Sequence, residues 1–209
     1  MLSLDDSIEQ FLRKLTAFSA PEQNDIEKAV SMMKEAHKEQ KRSDGTPYAL
    51  HPLAATEILL EWGADKETII AGLLHDTLED TELTPKQIRD AFGSSSVLAL
   101  IDGVTKFTQA DFEGQESLDR KVETLRKLFE VMRSDIRVAV IKLADRLHNV
   151  RTIDALSEDR QKRFAKETLD IYYKIAFHLG MNEMRRELSE LCYPILYPEE
   201  SAEFQKRRK

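Results

Sequence analysis

Hydrophobic residues recur at spacings of three and four along most of the chain, as in Ile26, Ala29, Val30 and Met33. This is the period of an α-helix that buries one face. No segment alternates apolar and polar residues for long enough to predict a sheet. The pattern therefore predicts an all-α fold. We expect about ten helices, near residues 4–18, 22–39, 50–62, 66–79, 84–92, 95–105, 116–133, 135–147, 158–178 and 181–192.

Turn residues mark the breaks between these helices. The segment 43–48, SDGTPY, joins an Asp-Gly turn signal to a proline, and Pro52 suits the first turn of the next helix. His51 is therefore predicted at a helix start. The segment 106–117, KFTQADFEGQES, interrupts the helical period, and we predict a mobile loop there.

Length, charge and cysteine content narrow the class of protein. The 209 residues can bury one sizeable core, which favours a single domain, with two small domains as the alternative. The 31 basic and 38 acidic residues give a net charge of −7, which argues against adhesion to nucleic acid or anionic membranes. The single cysteine cannot form an internal disulfide, and neither a signal peptide nor a membrane-spanning run is apparent. We expect a soluble, cytoplasmic protein.

Four residues with metal-binding side chains stand in three separate segments. His51 precedes a proline, His75 and Asp76 follow the apolar run TIIAGLL, and Asp145 follows apolar residues in IRVAVIKLADRLHN. Two imidazoles and two carboxylates form the mixed nitrogen and oxygen shell that suits a catalytic divalent ion such as Mn²⁺, Fe²⁺ or Zn²⁺. Polar groups that follow buried runs need partners, and an ion would provide one. The sequence thus predicts a metal centre.

Helical spacing adds polar side chains to this predicted centre. Positions four apart share a helix face, which places Glu79 and Asp80 one turn beyond the adjacent His-Asp ligands. The same spacing places Asn149 one turn beyond Asp145, where its amide would face a substrate.

Structural alternatives stay open for some of these residues. A His-Asp dipeptide alone is commonly a helix-terminal polar pair, and Asp76 and Asp145 could form ion pairs with Arg146 or Arg151. His37 lies in an amphipathic helix without a partner motif, and we predict a packing role for it. The separated motifs are nevertheless hard to explain as solvated surface.

The order of the motifs resembles that of a known family. The segments RSDGTPYALHP, AGLLHDTLED, DGVTK, IKLADRLHNVRT and RFAKETLDIYYKIAFHLG follow the order found in the hydrolase domain of RelA/SpoT proteins, within the HD-domain superfamily. The resemblance covers about residues 25–200 and implies an HD-domain helical bundle around a metal site. It implies one hydrolase domain over 1–209 without a synthetase domain, as in a stand-alone small alarmone hydrolase. A fragment of a longer relative is the alternative.

The resemblance also implies a reaction and a cofactor. Hydrolases of this family remove pyrophosphate from the 3′ position of (p)ppGpp, leave GDP or GTP, and use Mn²⁺ as the usual metal. The family's metal ligands fall on the four ligand candidates named above, and its acidic catalytic pair falls on Glu79 and Asp80. A resembling enzyme would end alarmone signalling by binding one Mn²⁺ ion and a small nucleotide.

Substrate contacts carry over from the same resemblance. The residues implied to line the substrate pocket are Lys41, Arg42, Ser43, Tyr48, Asn149 and Thr152. Arg42 matches the family's basic residue beside the nucleotide base. Ser43 stands where many members carry a second basic residue, and Lys41 is expected to substitute for it. Their charge alone makes Lys142, Arg146 and Arg163 weaker candidates for the phosphate groups, and a solvated helix face is the alternative for Lys142 and Arg163.

Other functions stay open on the sequence. The same metal and carboxylate residues would serve an HD phosphohydrolase that acts on NADPH or another phosphorylated nucleotide, because they do not define the base pocket. A non-catalytic alarmone-binding module is a further alternative. So is an antitoxin-type protein that is functionally paired with a toxic alarmone synthetase and clears its product. The sequence does not specify an oligomeric state.

Overall fold

The computed structural model describes residues 3–93, 95–111, 126, 130 and 133–207. Across these ranges the chain is mainly helical, and one isolated bridge between Lys41 and Pro47 is the sole β pairing. The helices are α1 (Leu4–Arg13), α2 (Ala20–Ala36), α3 (Leu50–Glu61), α4 (Lys66–Leu74), α5 (Thr77–Asp80), α6 (Pro85–Phe92), α7 (Ser95–Asp111), α8 (Ile136–Arg151), α9 (Glu158–Glu167), α10 (Tyr173–His178), α11 (Asn182–Leu196) and α12 (Pro198–Arg207). The all-α prediction is confirmed. None of the described helices is both long and apolar enough to cross a bilayer.

The chain falls into two compact units, residues 1–144 and 145–209, and the division lies within α8. In the first unit, α4 is central: all of its residues from Thr68 to Leu74 are buried, and it packs against α2, α3 and α7. In the second unit, α11 packs against α9 and α10 around the fully buried Tyr172 and Leu188. The single domain expected from the sequence stays a prediction.

Gly72 lets α3 and α4 approach each other closely. A Cβ atom at this position would lie 2.5 Å from Leu59 Cδ1 and 3.0 Å from Thr56 Oγ1, both inside normal van der Waals separation. His51 lies in the first turn of α3, and His75 directly follows α4. The close approach of the helices brings the two imidazole rings together, with their centroids 5.6 Å apart.

The helix predicted over 66–79 is interrupted at its two ligand candidates, so the prediction of one continuous helix was wrong. α4 ends before them, and α5 begins after them. His75 Nδ1 lies 2.7 Å from the carbonyl oxygen of Gly72, and Thr77 Oγ1 donates to the carbonyl oxygen of Leu74 at 2.7 Å. The helix breaks because these side chains take carbonyl groups that would otherwise accept backbone amides.

α7 extends through residue 111, so the loop predicted over 106–117 was wrong in its first half. Phe107 is buried and continues the helical period, while Lys106 Nζ lies 2.6 Å from Asp102 Oδ2 one turn earlier. The remainder of that loop, and most of the helix predicted over 116–133, lie outside the described residues.

The second unit departs from the predicted helices in two places. The helix predicted over 158–178 contains a π-helical turn at Thr168–Tyr172. α12 was not predicted, although Pro198 at its first position and Glu199 in its first turn are recognisable start signals.

Arg137 joins three acidic residues in the first unit. Its guanidinium nitrogens lie 2.7 Å from Asp135 Oδ2 and 3.0 Å from both Asp65 Oδ2 and Glu67 Oε2. Ser96 also donates to Glu67. The hydrogen bond from Arg137 lowers the pKa of Asp135, and those from Ser96 and Arg137 lower the pKa of Glu67. The network therefore stabilises both carboxyls in their ionised form.

Arg137→Met is expected to lower the free energy of unfolding by about 1–2 kcal/mol near pH 7, because it removes charge-assisted hydrogen bonds to partly buried carboxylates. Carboxyls with a lowered pKa stabilise the fold fully above their unfolded pKa values of about 4. This contribution is lost as the pH falls through the lower folded values. Urea unfolding at pH 7 and about pH 3 should therefore show a smaller difference from wild type at the lower pH.

The matched control for this change is Arg13→Met, whose exposed partner Glu9 lies one turn away on α1. Stability should be unchanged in the control, because an exposed pair within one helix contributes little. An equal loss for Arg137→Met at both pH values would contradict the prediction.

Candidate metal centre

Three predicted ligands meet where α3 begins and α4 ends. His51, His75 and Asp76 each offer one ligand atom, and these atoms all lie within 4.8 Å of one another. His75 Nε2 lies 3.0 Å from Asp76 Oδ1, and His51 Nε2 lies 3.7 Å from Asp76 Oδ2. Both imidazoles are buried, whereas the carboxylate is 18% exposed. The three side chains form a compact site, hereafter the triad, with one ligand facing solvent.

The hydrogen bond behind His75 determines which ring nitrogen faces the carboxylate. A carbonyl oxygen can only accept, so the Nδ1 atom beside the Gly72 carbonyl must carry the proton. In the neutral ring, Nε2 then directs its lone pair toward Asp76 Oδ1. Two electron-rich atoms 3.0 Å apart favour a cation between them. The donor set of two imidazoles and a carboxylate thus fits a divalent transition-metal ion.

Tyr48 orients the carboxylate of the triad. Its hydroxyl donates to Asp76 Oδ2 at 2.8 Å, and its ring centroid lies 5.8 Å from that of His51. The sequence predicted Tyr48 as a substrate contact, and the structure places it against a ligand. A carboxylate held on one oxygen presents the other in a fixed direction.

Glu79 and Asp80 lie on α5, one helical turn after the triad. The backbone amides of both donate to the carbonyl oxygen of Asp76, at 3.2 and 3.0 Å. Partial desolvation raises the pKa of both side chains, and the negative charge of Asp76 adds to the rise. The positive charge of Lys142 opposes the rise at Glu79. Since Lys142 is only 8% exposed, the solvated-face alternative was wrong for this lysine.

A cavity of about 1160 Å³ opens beside the acidic pair, along α2 and the segment that follows α5. Its charged lining residues are Glu35, Glu39, Glu79, Asp80, Glu82, Lys28 and Lys38. Five carboxylates against two lysines disfavour an anionic ligand in this space. The cavity therefore gives solvent water access to the acidic pair.

The fourth predicted ligand, Asp145, lies in the second unit and is 6% exposed. Asn149 Nδ2 donates to Asp145 Oδ1 at 2.6 Å, whereas the sequence predicted that this amide would face a substrate. Thr152 Oγ1 donates to the carbonyl oxygen of His148 at 3.1 Å near the end of α8. That Asp145 completes the metal shell stays a prediction, as do the substrate contacts of Asn149 and Thr152.

Arg146, a weaker phosphate candidate, is packed within the second unit. Its guanidinium carbon lies 4.1 Å from the ring centroid of Phe164 and 3.9 Å from that of Tyr172. Arg146 Nη2 also lies 2.6 Å from Glu167 Oε1. Cation–π contacts on two rings and an ion pair give this arginine a structural role.

The predicted substrate residues before α3 stand on a tight hairpin. The amide of Arg42 donates to the carbonyl oxygen of Thr46 at 2.9 Å, and the amide of Gly45 donates back to Arg42 at 2.9 Å. Lys41 and Ser43 are exposed, and Arg42 is partly buried. The three side chains remain predicted substrate contacts.

Comparison with known protein families identifies the fold. The model of the HD-domain family matches residues 29–182, which is well over half of the chain and includes the triad. The chain belongs to the HD-domain family. The predicted HD-type helical fold is thereby confirmed.

Curated proteins similar to this HD domain are several times longer. A GTP pyrophosphokinase of Streptomyces coelicolor is 49% identical over 173 residues, which are 83% of this chain and 20% of that protein. A guanosine-3′,5′-bis(diphosphate) 3′-pyrophosphohydrolase of Aquifex aeolicus is 42% identical over 194 residues, 93% of this chain and 27% of that protein. The chain thus spans 20% and 27% of their lengths. The resemblance to RelA/SpoT proteins is confirmed.

A solved structure supports the fold independently. It belongs to a metazoan SpoT orthologue described as hydrolysing ppGpp, and it matches with a TM-score of 0.63 at 24% identity. The match covers 83% of this chain and 94% of that one. At this identity the likeness supports the fold alone.

Sequence reasoning missed His37 and Gln40. His37 was predicted to be a packing residue, yet its Nδ1 lies 2.7 Å from Gln40 Oε1, and Gln40 Nε2 donates to the carbonyl oxygen of Asp80 at 2.5 Å. The only signal in the sequence was a histidine followed three positions later by a glutamine just before the predicted turn. That spacing does not reveal a contact forty residues away.

Proposed function

We propose that this HD domain hydrolyses the 3′-pyrophosphate of (p)ppGpp with one Mn²⁺ ion, yields GDP or GTP and pyrophosphate, and so ends alarmone signalling in the cytoplasm. The observation that carries the proposal is the triad of His51, His75 and Asp76 one helical turn before two carboxyls of raised pKa. Relatives named as 3′-pyrophosphohydrolases, including one 42% identical over 93% of this chain, support the choice of substrate.

The triad would hold the ion, with Asp145 of the second unit as the proposed fourth ligand. When bound, a divalent ion supplies Lewis acidity that polarises a phosphoryl oxygen and makes water more nucleophilic near neutral pH. Tyr48 fixes the carboxylate of Asp76, and the Gly72 carbonyl fixes the tautomer of His75. These two contacts prepare the ligands before the ion arrives.

Glu79 would take a proton from the attacking water, with Asp80 as its partner. A carboxyl of raised pKa is a stronger base than an ordinary one, and it can also return a proton. The water oxygen forms a bond to the phosphorus attached at the ribose 3′ oxygen, and the bond between that phosphorus and the 3′ oxygen breaks. The acidic pair then supplies the proton that the departing 3′ oxygen needs.

Substrate recognition is proposed for the hairpin and the end of α8. Arg42 would lie against the guanine base, with its planar guanidinium suited to stacking. Lys41 and the buried Lys142 would offset phosphate charge, and Ser43, Asn149 and Thr152 would complete the pocket.

Product analysis of the purified protein tests this function. With Mn²⁺, ppGpp labelled in its 3′ phosphates should yield GDP and labelled pyrophosphate, and turnover should cease in excess chelator. In water enriched in ¹⁸O, the heavy oxygen should appear in pyrophosphate, because the bond from phosphorus to oxygen is the one that breaks. Full activity with chelator, or orthophosphate as the product, would contradict the proposal. A preference for NADPH in the same assay would favour the other phosphohydrolase function.

A further inference from the structure

We propose that Gln40, oriented by His37, is a positioning residue that holds the turn carrying the acidic pair, while Tyr48 holds the start of the same turn. This inference rests on the proposed function, because it assigns these residues to the reaction. Each contact that carries it lies within the first unit.

Gln40 connects a buried histidine to the end of α5. Its Nε2 donates to the carbonyl oxygen of Asp80 at 2.5 Å, and only the amino end of an amide can make that bond. Its Oε1 therefore faces His37 Nδ1, 2.7 Å away, which must carry the proton. If the side-chain amide were reversed, Gln40 Oε1 would face the carbonyl oxygen of Asp80, and the two oxygens would repel each other. The hydrogen bonds to Asp80 and His37 therefore both require the same orientation of the amide.

The backbone of Gln40 ties the same contact to the metal ligand. The Gln40 amide donates to the carbonyl oxygen of His37 at 3.0 Å, and its own carbonyl accepts from the amide of Tyr48 at 2.9 Å. The Tyr48 hydroxyl then reaches Asp76 Oδ2 at 2.8 Å. Both ends of the turn from Asp76 to Asp80 are thus bound to one segment.

α5 needs such external support because it is only four residues long. A single helical turn gains too few hydrogen bonds to be stable alone. The interruption at His75 and Asp76 also separates it from α4. The hydrogen bond from Gln40 to Asp80 therefore adds to the packing of α5 against α7 and fixes the backbone at the carboxyl-terminal end of the turn.

Packing alone does not explain a histidine at position 37. It is 1% exposed, and its Nε2 has no hydrogen-bond partner among the residues that the structure describes. A buried polar atom without a partner costs stability, which an apolar side chain of similar size would avoid. The imidazole offers one thing that such a side chain lacks, the Nδ1 donor that orients Gln40. Its ring also lies against Tyr48, with centroids 4.9 Å apart.

Gln40→Met tests the proposal, because methionine has a similar length and neither amide group. We expect kcat for ppGpp to fall by about tenfold to a hundredfold through misplacement of the acidic pair. The KM for ppGpp and the Kd for Mn²⁺ should stay within about twofold, since the ligands are untouched. His37→Leu should act in the same direction, and His37→Asn, which keeps a donor near Nδ1, should restore most of kcat.

Gln23→Met is the matched control. Gln23 Nε2 also donates to backbone carbonyls of the first unit, those of Leu15 at 3.1 Å and Phe18 at 2.8 Å, away from α5. This variant should keep the wild-type kcat. An equal loss in the control, an unchanged kcat in Gln40→Met, or a loss expressed mainly in KM would overturn the proposal.

Amide hydrogen exchange separates failure of the proposal from failure of the proposed function. In the metal-free protein, the peptide that contains Thr77 to Asp80 should exchange faster in Gln40→Met than in wild type or Gln23→Met. If wild type does not hydrolyse ppGpp, the proposed function fails, and the exchange rates still report whether Gln40 holds the turn. If this peptide exchanged at the wild-type rate in Gln40→Met, the claim that Gln40 holds the turn would be overturned, whatever the kinetic result.

Discussion

Asp76→Asn is expected to lower kcat for ppGpp by about a thousandfold or more and to weaken Mn²⁺ binding in parallel. The reason is that one carboxylate serves both neighbours: Oδ1 lies 3.0 Å from His75 Nε2, and Oδ2 lies 3.7 Å from His51 Nε2. An amide keeps the shape but removes the negative charge and presents an NH₂ group to one neighbour. Steady-state kinetics and calorimetric titration with Mn²⁺ measure the two effects.

The control for this variant is Asp102→Asn on α7, whose carboxylate pairs with Lys106 at 2.6 Å. It makes the same chemical change at an exposed site and should leave both kcat and metal affinity unchanged. Helical circular dichroism of both variants checks that the fold is retained. If Asp76→Asn bound Mn²⁺ with the affinity of the wild type, Asp76 would not be a metal ligand. The assignment of the triad as the metal site would then be wrong.

Glu79→Gln is expected to lower kcat by about a hundredfold to ten thousandfold while Mn²⁺ still binds. The amide can hold water in place but cannot accept its proton. A general base is active only when it is deprotonated, so the kcat of the wild type should show an acid limb that follows the ionisation of Glu79. The residual activity of the variant should lack this limb, which a pH series of kcat would reveal.

Glu82→Gln provides the matched control, because Glu82 lines the same cavity without belonging to the acidic pair. It should retain wild-type kcat and metal affinity. Loss of Mn²⁺ binding in Glu79→Gln would make Glu79 a ligand, and an unchanged kcat would remove it from catalysis. A larger loss in Asp80→Asn than in Glu79→Gln would exchange the roles of the two carboxyls.

The all-α class and the identities of the three triad residues were predictable from local patterns. Apolar residues at helical spacing predicted the all-α class, and polar residues placed directly after buried runs singled out His75 and Asp76. Pro52 after a turn signal placed His51 at the start of α3, as observed. These features depend on residues close together in the chain, which is why sequence alone reveals them.

Features that depend on distant segments could not be predicted in this way. The helix break at His75 arises from competition for carbonyl groups, and helical periodicity does not register it. Lys142 carries a charge that predicts exposure, yet its side chain is buried. Gln40 meets Asp80 across forty positions, and only tertiary packing brings such groups together.

The missing side chain at Gly72 links two properties of the proposed metal centre. The close passage of α3 past α4 sets the separation of the imidazoles, and the carbonyl of the same glycine sets the protonation pattern of His75. A single methyl group added at Gly72 would push α3 away from α4 and so displace His51 and His75 without contacting either side chain. The chemistry of the centre is therefore governed in part by a residue that has no functional group at all.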